Sequence, residues 1–262
     1  MNPSLVRRLL WLPSALLLAL IGAPLVALLW RTGVTALGQG LANPLVGAAL
    51  RTSFATSVLA LVLVIALGTP LAWLLAHERG RLGSWLELLA QLPVVLPPSM
   101  AGLSLLLAFG RRGLLGPLLE SLGLEIAFTQ KAVVLAQVLV AAPFYLQLAT
   151  AGFRGVDERY VQVARTLGSG PWRTFSRITL PLALPSILAG AALAWARALG
   201  EFGATLMFAG NLEGSTQTLP LAIYSALESD VRAAQALSVI LLAVALVLLV
   251  LVRTFGPKRG AA

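Results

Sequence analysis

An all-α integral membrane protein with six spanning helices is the fold class this sequence predicts, and three observations carry the prediction. The chain is 58% hydrophobic and 11% charged, whereas a soluble domain is about one-quarter charged. A soluble fold of this composition would lack polar surface to set against water. Six stretches approach the roughly 20 apolar residues that cross a bilayer. The cations are also shared unequally between alternate connections, which fixes orientation in a membrane.

The first apolar segment is "LLWLPSALLLALIGAPLVALLW", 9–30. Arg7 and Arg8 precede it, as they would a cleaved secretion signal. However, the run is long for a signal, and no small-x-small cleavage site follows. An uncleaved helix is therefore expected. The second segment, 48–76, holds "SVLALVLVIALGTPLAWLLA", with Pro70 near its end. The third, 85–109, carries Pro93, Pro97 and Pro98; the fourth, 132–153, carries Pro143. Proline removes a helical hydrogen bond and crowds the preceding turn, so each is read either as a static kink or as a hinge along a pathway. The fifth segment is 182–209 and the sixth 233–253. Between the third and fourth, "RRGLLGPLLESLGLEIAFTQ" reads as a short interfacial helix in a loop.

Starting from a cytoplasmic N-terminus, the cytoplasmic connections hold Arg7, Arg8, Arg79, Arg81, Arg154, Arg159, Arg165, Arg173, Arg177, Arg253, Lys258 and Arg259. The outer ones hold Arg31, Arg51, Arg111, Arg112, Lys131 and Arg232. This bias predicts that both termini are cytoplasmic after six crossings. It also accounts for the net charge of +9 without nucleic acid. The short connections leave no room for a soluble domain, and "GPKRGAA" after the last segment leaves none for a regulatory one.

Several chemistries lack their residues. There is no cysteine and one histidine, so thiolate and histidine-cluster metal sites are not expected. His77, in "HERGR", reads as a solvated loop residue. No Gly-Lys pair occurs, so there is no G-x-x-x-x-G-K-[ST] phosphate loop. A membrane-embedded enzyme would have little to work with.

The connection between the fourth and fifth segments is different. In "VDERYVQVARTLGSGPWRTFSRITLPLALP", Asp157 is a good helix N-cap and Glu158 sits in the first turn. Tyr160, Val163, Ala164 and Leu167 follow at helical spacing. Gly168 to Gly170 ends that helix, and Pro171 suits the start of another. "PWRTFSRI" is short and amphipathic, with Pro181 and Pro185 leading into the fifth span. The loop reads as helix, turn, helix. It could set topology alone, lie on anionic lipid through its arginines, or dock a cytoplasmic protein. Its ordered apolar face, with Tyr160, Val163, Leu167, Trp172 and Phe175, favours docking, since a purely topological loop needs none.

The spacing from Gly168 to Ile178, Leu180 and Pro181 resembles the E-A-A-x-x-x-G-x9-I-x-L-P signature of ABC-importer permeases. Gln162, Val163 and Ala164 fall at the E-A-A positions, and only Ala164 matches. "ARALGEFGATLMFAGNLEGSTQTLPLAIY", 196–224, resembles molybdate or tungstate permeases, as does "LPVVLPPSMAGLSLLLAFG" in the third segment. Sulfate permeases share the R-A-x-G-E-F-G part, so sulfate, thiosulfate or another oxyanion is the alternative cargo.

The resemblance implies a type I importer permease fold and a loop, about 156–181, that couples to a separate ATPase. Gln162, Val163, Ala164, Arg165, Gly168, Ile178, Leu180 and Pro181 are its candidate contacts. It further implies a homodimer, two ATP-binding cassette subunits that bind ATP-Mg, and a periplasmic or extracellular molybdate-binding protein. This chain would then hold no cofactor and no catalytic residue. It would move the anion inward by alternating access, in a bacterial or archaeal plasma membrane. The expected division is an N-terminal helix with its external loop, 1–47, a permease core, 48–253, and a tail, 254–262.

Arg197 and Glu201 lie in the fifth segment at i, i+4. Charges inside a membrane are costly and usually face the bundle interior or a wet cavity. They read either as a self-neutralised brace or as a source of positive potential along an anion pathway. They are also the only intramembrane titratable groups that a stand-alone secondary transporter or channel, the rival class, would have to use.

Overall fold

The computed structural model describes residues 3–42, 44–78 and 80–255. Arg79, Lys258 and Arg259 lie outside the described residues, as do the side chains of Arg7, Arg8 and Arg253. Among the described residues every regular element is helical.

Helix α1, Pro3–Ala42, is interrupted by left-handed Gly33 at φ 60°. Its apolar face is turned outward through Leu12, Leu16 and Leu20, and it packs on α12. Helix α2 spans Pro44–His77. Helices α3, Arg81–Val95, and α4, Pro98–Phe109, follow one another across a 116° bend. Helix α5, Gly116–Ser121, is the short helix expected in the following loop, and α6 spans Gln130–Arg154. Then come α7, Glu158–Thr166, and α8, Pro171–Thr174. A π-helical turn, Phe175–Thr179, joins α8 to α9, Leu180–Leu199. The chain ends with α10, Gly203–Ala209, α11, Leu219–Ser229, and α12, Val231–Phe255.

Among the described residues, Leu10–Gly33, Leu45–His77, Gln130–Arg154 and Pro171–Leu199 are each long and apolar enough to cross a membrane. The bent pair α3–α4 makes a fifth if both belong to one span, and Val231–Val247 is apolar but shorter.

Three of the expected boundaries are corrected. The third segment is not one helix: Leu96 is extended at φ −69°, ψ 131°, as a residue before proline tends to be. The fifth ends at Leu199, ten residues before the expected 209, because Gly200 to Phe202 leave the helix. Its start is earlier too. The loop's second helix is not separate from the span, since 171–199 run on continuously, the π-helical turn carrying the chain from α8 into α9. Pro181 sits in the first turn of α9, and Pro185 is accommodated inside it.

Helices α2 and α9 both pack against α6, around Val64, Ala72, Tyr145, Leu146, Ala149, Phe153, Ala183, Ile187 and Ala194. Lipid tails are as apolar as these side chains, so close backbone approach and van der Waals contact must hold such helices together. Small residues make it possible. A Cβ on Gly68 would stand 2.8 Å from Tyr145 Cδ1, and one on Gly152 only 2.5 Å from Ser186 Cβ. Thr69 Oγ1 donates to the Ile65 carbonyl at 2.6 Å, leaving its lone pairs to accept from the Tyr145 hydroxyl at 2.5 Å. Trp195 Nε1 donates to Ser57 Oγ at 3.0 Å, tying α9 to α2. A second cluster joins α4, α6 and α10 through Ala101, Leu105, Val133, Val140, Ala204 and Phe208. A third sets Val46 and Ala49 against Leu219, Ala222 and Leu237; there Ser53 Oγ accepts the Leu219 amide at 2.6 Å, satisfying the first turn of α11.

Candidate functional site

Helix α7 begins where the sequence predicts. Asp157 is the N-cap, and its Oδ1 accepts the Arg159 amide at 2.9 Å. The Arg159 guanidinium then folds back onto the same carboxylate, Nη2 to Oδ2 at 2.7 Å. The side-chain bond first and the backbone bond second hold the Asp157 carboxyl below its ordinary value of 3.8.

The other end of α7 is closed by backbone geometry. The Gly168 amide donates to the Arg165 carbonyl at 3.0 Å, and the Ser169 amide to the Ala164 carbonyl at 2.9 Å. This pair of bonds is a Schellman motif, which needs a left-handed residue at the position of Gly168. Gly168 has φ +81°, and a Cβ there would meet nothing within 4 Å. Glycine is thus required by the backbone conformation and not by crowding. Gly170 is then the N-cap of α8, with Pro171 in its first turn.

The two short helices enclose an open groove of about 870 Å³. Asp157, Arg159, Tyr160, Val163, Ala164, Leu167, Gly168, Ser169, Arg173, Arg177 and Ile178 line it. Tyr160, Val163 and Leu167 are exposed, Leu167 at 82%, while Ala164 is buried against the chain. Exposed apolar side chains framed by Arg159, Arg173 and Arg177 make a surface suited to a partner that is apolar at its centre and acidic at its edge.

Of the residues anticipated from the sequence, Val163, Ala164, Gly168 and Ile178 come together in this groove. Gln162 and Arg165 are exposed outside it; Leu180 and Pro181 lie further on, in the first turn of α9. Phe175 departs from its expected place on the outward apolar face. It is half-buried and packs with the cluster of Phe153, Ala183 and Ile187. Asp157 was legible as a helix cap and Arg159 only as a cytoplasmic cation; their membership of the groove was not legible, because it depends on how α7 and α8 fold against each other. A further bracing contact closes the end of α6: Arg154 Nη2 lies 3.0 Å from Glu87 Oε2 of α3 and donates to the Leu75 carbonyl of α2 at 3.1 Å.

Arg197 and Glu201 do pair, Nη1 to Oε2 at 2.7 Å. They stand at the end of α9 and just beyond it, not within a longer span. The Glu201 side chain is 1% exposed and that of Arg197 30%. Glu201 Oε1 also accepts the Ala204 amide at 2.8 Å, satisfying a free donor in the first turn of α10. Among the described residues, no three His, Cys, Asp or Glu side chains are grouped so as to hold a metal ion.

The fold resembles solved importers. A chain of a bacterial alginate ABC transporter, in complex with an alginate pentasaccharide-bound periplasmic protein, superposes with a TM-score of 0.75 at 15% identity, covering 95% of this chain and 93% of that one. A chain of the MetNI methionine ABC transporter in an inward-facing conformation gives 0.64 at 15% identity, with 81% and 97% covered. The sequence is 44% identical over 243 residues to the molybdenum transport system permease protein ModB of Mycobacterium tuberculosis, covering 93% of this chain and 92% of the relative. It is 41% identical over 178 residues to that of Escherichia coli K12, with 68% and 78% covered. The probable transport system permease protein NifC of Clostridium pasteurianum is 42% identical over 202 residues, with 77% and 71% covered. Residues 68–260 match the family model of binding-protein-dependent transport system inner membrane components, and with these relatives and that match the chain belongs to this family.

Proposed function

We propose that the chain is the membrane permease subunit of an ATP-driven importer of molybdate or tungstate, and that the α7–α8 groove receives the ATPase. The observation that carries the reading is the groove itself: ordered at both ends by a cap and a Schellman turn, apolar at its centre, basic at its edge, and continuous with a helix long enough to span. The relatives' names supply the cargo. Two copies of this chain form the pathway, two separate cassette subunits bind ATP-Mg, and a periplasmic or extracellular binding protein delivers the anion. The chain itself has no catalytic residue and no cofactor.

The arginine distribution supports six spans, α1, α2, the bent pair α3–α4, α6, α8–α9 and α12, with both termini and the groove in the cytoplasm of a bacterial or archaeal cell. The core, 48–253, carries transport, flanked by the N-terminal helix and the short tail. Arg197 and Glu201 act as a brace that holds α10 against the end of α9. Glu201 is 1% exposed and already bonded to Arg197 and to the Ala204 amide, so the pair is committed to the fold and not offered to a passing anion.

Mechanistically, ATP closes the cassette dimer, the docked α7–α8 unit follows, and the spans exchange outward for inward access. The decisive experiment measures ATP hydrolysis by the reconstituted complex with binding protein loaded with molybdate or with sulfate. Greater stimulation by the molybdate-loaded protein is expected; equal or reversed stimulation rejects the cargo. A chain that transports without any ATPase subunit rejects the whole reading in favour of a stand-alone transporter.

A further inference from the structure

Four aromatic rings meet where the loop enters the bundle. Phe175 opens the π-helical turn Phe175–Thr179. Its ring centroid lies 6.0 Å from that of Trp73 in α2, edge to face at 85°. It lies 6.2 Å from Phe153 at the end of α6, and 5.8 Å from Trp172 in α8. Trp172 is 76% exposed, whereas Phe153 is 3% exposed and Phe175 packs on the core cluster. Phe175 is therefore the hub that links exposed Trp172 of the loop to Trp73 on α2 and to buried Phe153 of α6.

The backbone at this row is unusual. π-helical turns are rare, appear mostly as single turns within α-helices, and are frequent at functional positions. Thr174, just before this one, and Thr179, its last residue, are buried. The turn packs on its chain neighbours α7, α8 and α9; the Phe175 ring takes it beyond them, to α2 and α6. Phe175 does not line the α7–α8 groove, so holding a partner there does not require it.

We propose that Phe175 is a positioning residue that carries displacement of the α7–α8 unit into α2, through Trp73, and into α6, through Phe153. The proposal rests on the reading of that unit as the ATPase-docking surface. A ring is a rigid plate with preferred edge and face contacts. A push on Trp172 or α8 therefore reaches Trp73 and Phe153 without being absorbed by rotamer change. Leucine at 175 would fill much of the space but would yield, being branched and flexible. Docking would then persist while transmission fails.

The test uses the complete importer, permease with its ATPase and binding protein, in proteoliposomes supplied with molybdate and ATP. Wild type, Phe175→Leu, Phe175→Tyr, Trp73→Leu and the double variant Phe175→Leu/Trp73→Leu are compared. Co-purification of the ATPase, basal hydrolysis and anion taken up per ATP are read. Phe175→Leu should retain the ATPase and keep basal hydrolysis within about twofold, while uptake per ATP falls about tenfold, the loss expected from softening ring contacts of this kind. Phe175→Tyr should restore the ratio. Trp73→Leu should uncouple as Phe175→Leu does, and the double variant should add little, as for residues acting through one contact. An uptake-to-hydrolysis ratio equal to wild type in Phe175→Leu overturns the proposal. So does a loss that tyrosine does not restore. If Phe175→Leu fails to assemble, Trp73→Leu decides alone: an uncoupled ratio supports the proposal and a wild-type ratio overturns it. A wild type that moves molybdate without a bound ATPase overturns the docking reading instead, and is distinguished by co-purification.

Discussion

Glu201 holds Arg197 with one carboxylate oxygen, Oε2 to Nη1 at 2.7 Å, and the Ala204 amide with the other, Oε1 to N at 2.8 Å. One buried side chain thus neutralises a charge at the end of α9 and caps the first turn of α10. Removing one partner of a buried pair leaves an uncompensated charge and costs about 3–5 kcal/mol. Arg197 is partly exposed, so the low end of that range applies. Glu201→Ala should therefore lower the stability of the detergent-solubilised protein by about 3 kcal/mol. Arg197→Ala combined with it should cost less than the sum of the single losses. A thermal-unfolding double-mutant cycle checks this, and additive losses would show that the pair does not act as a unit.

Gly168 gives a test confined to the backbone. At φ +81° with open space around its Cβ position, Gly168→Val meets conformational strain and no clash. A left-handed non-glycine residue costs about 1–2 kcal/mol. Asparagine tolerates this region better. Gly168→Val should leave membrane insertion intact and reduce ATP-dependent uptake severalfold, with Gly168→Asn in between. Normal uptake in the valine variant would remove the α7 terminus from the coupling machinery.

Helix approach gives a stability test with an internal control. A methyl at Gly68 would stand 2.8 Å from the buried Tyr145 ring, and overpacking of this kind costs about 1–3 kcal/mol. Gly47, also in α2, has nothing within 4 Å of its Cβ position. Alanine there should be neutral or stabilising by up to about 1 kcal/mol through helix propensity. Thermal midpoints of Gly68→Ala and Gly47→Ala in the same detergent should move in opposite directions or differ clearly.

Asp157 makes the start of α7 sensitive to acid. Its carboxyl titrates below the ordinary 3.8 because Arg159 favours the charged form. The lower native value means that the cap's contribution is complete above 3.8 and is lost as the pH falls through that depressed value. Hydrogen exchange of the α7 amides should therefore accelerate, beyond the change in intrinsic rate, below the native pKa and not between pH 5 and 7. Asp157→Asn, which keeps a capping oxygen but cannot ionise, should show no such step.

Much of this architecture can be read from the residues, and the misses have physical causes. Hydropathy found the segments that become α2, α6 and most of α9, because lipid exposure demands an unbroken apolar run. Asp157 and Gly168 announced both ends of α7, since capping is local chemistry. The 116° bend between α3 and α4 was signalled only as Pro97 and Pro98; proline marks a break but not its angle. The end of α9 at Leu199 was hidden because Phe202 to Ala209 are as apolar as the span before them. Gly200 caps α9 there, and the Glu201 side chain bonds forward to the Ala204 amide to open α10. Phe175 looked like part of an outward face because helical spacing assumes 3.6 residues per turn, and a π-helical turn changes that count.

Pro171–Leu199 is a single helical stretch of 29 residues. The residue beside the α7–α8 groove and the residue paired with Glu201 are thus near the two ends of one rod about 43 Å long at 1.5 Å per residue. A tilt of about 10° pivoting at the loop would carry the Arg197 end through roughly 7 Å at that length. A small rotation at one end of this rod is therefore magnified into a displacement of several ångströms at the other, where Arg197 meets Glu201.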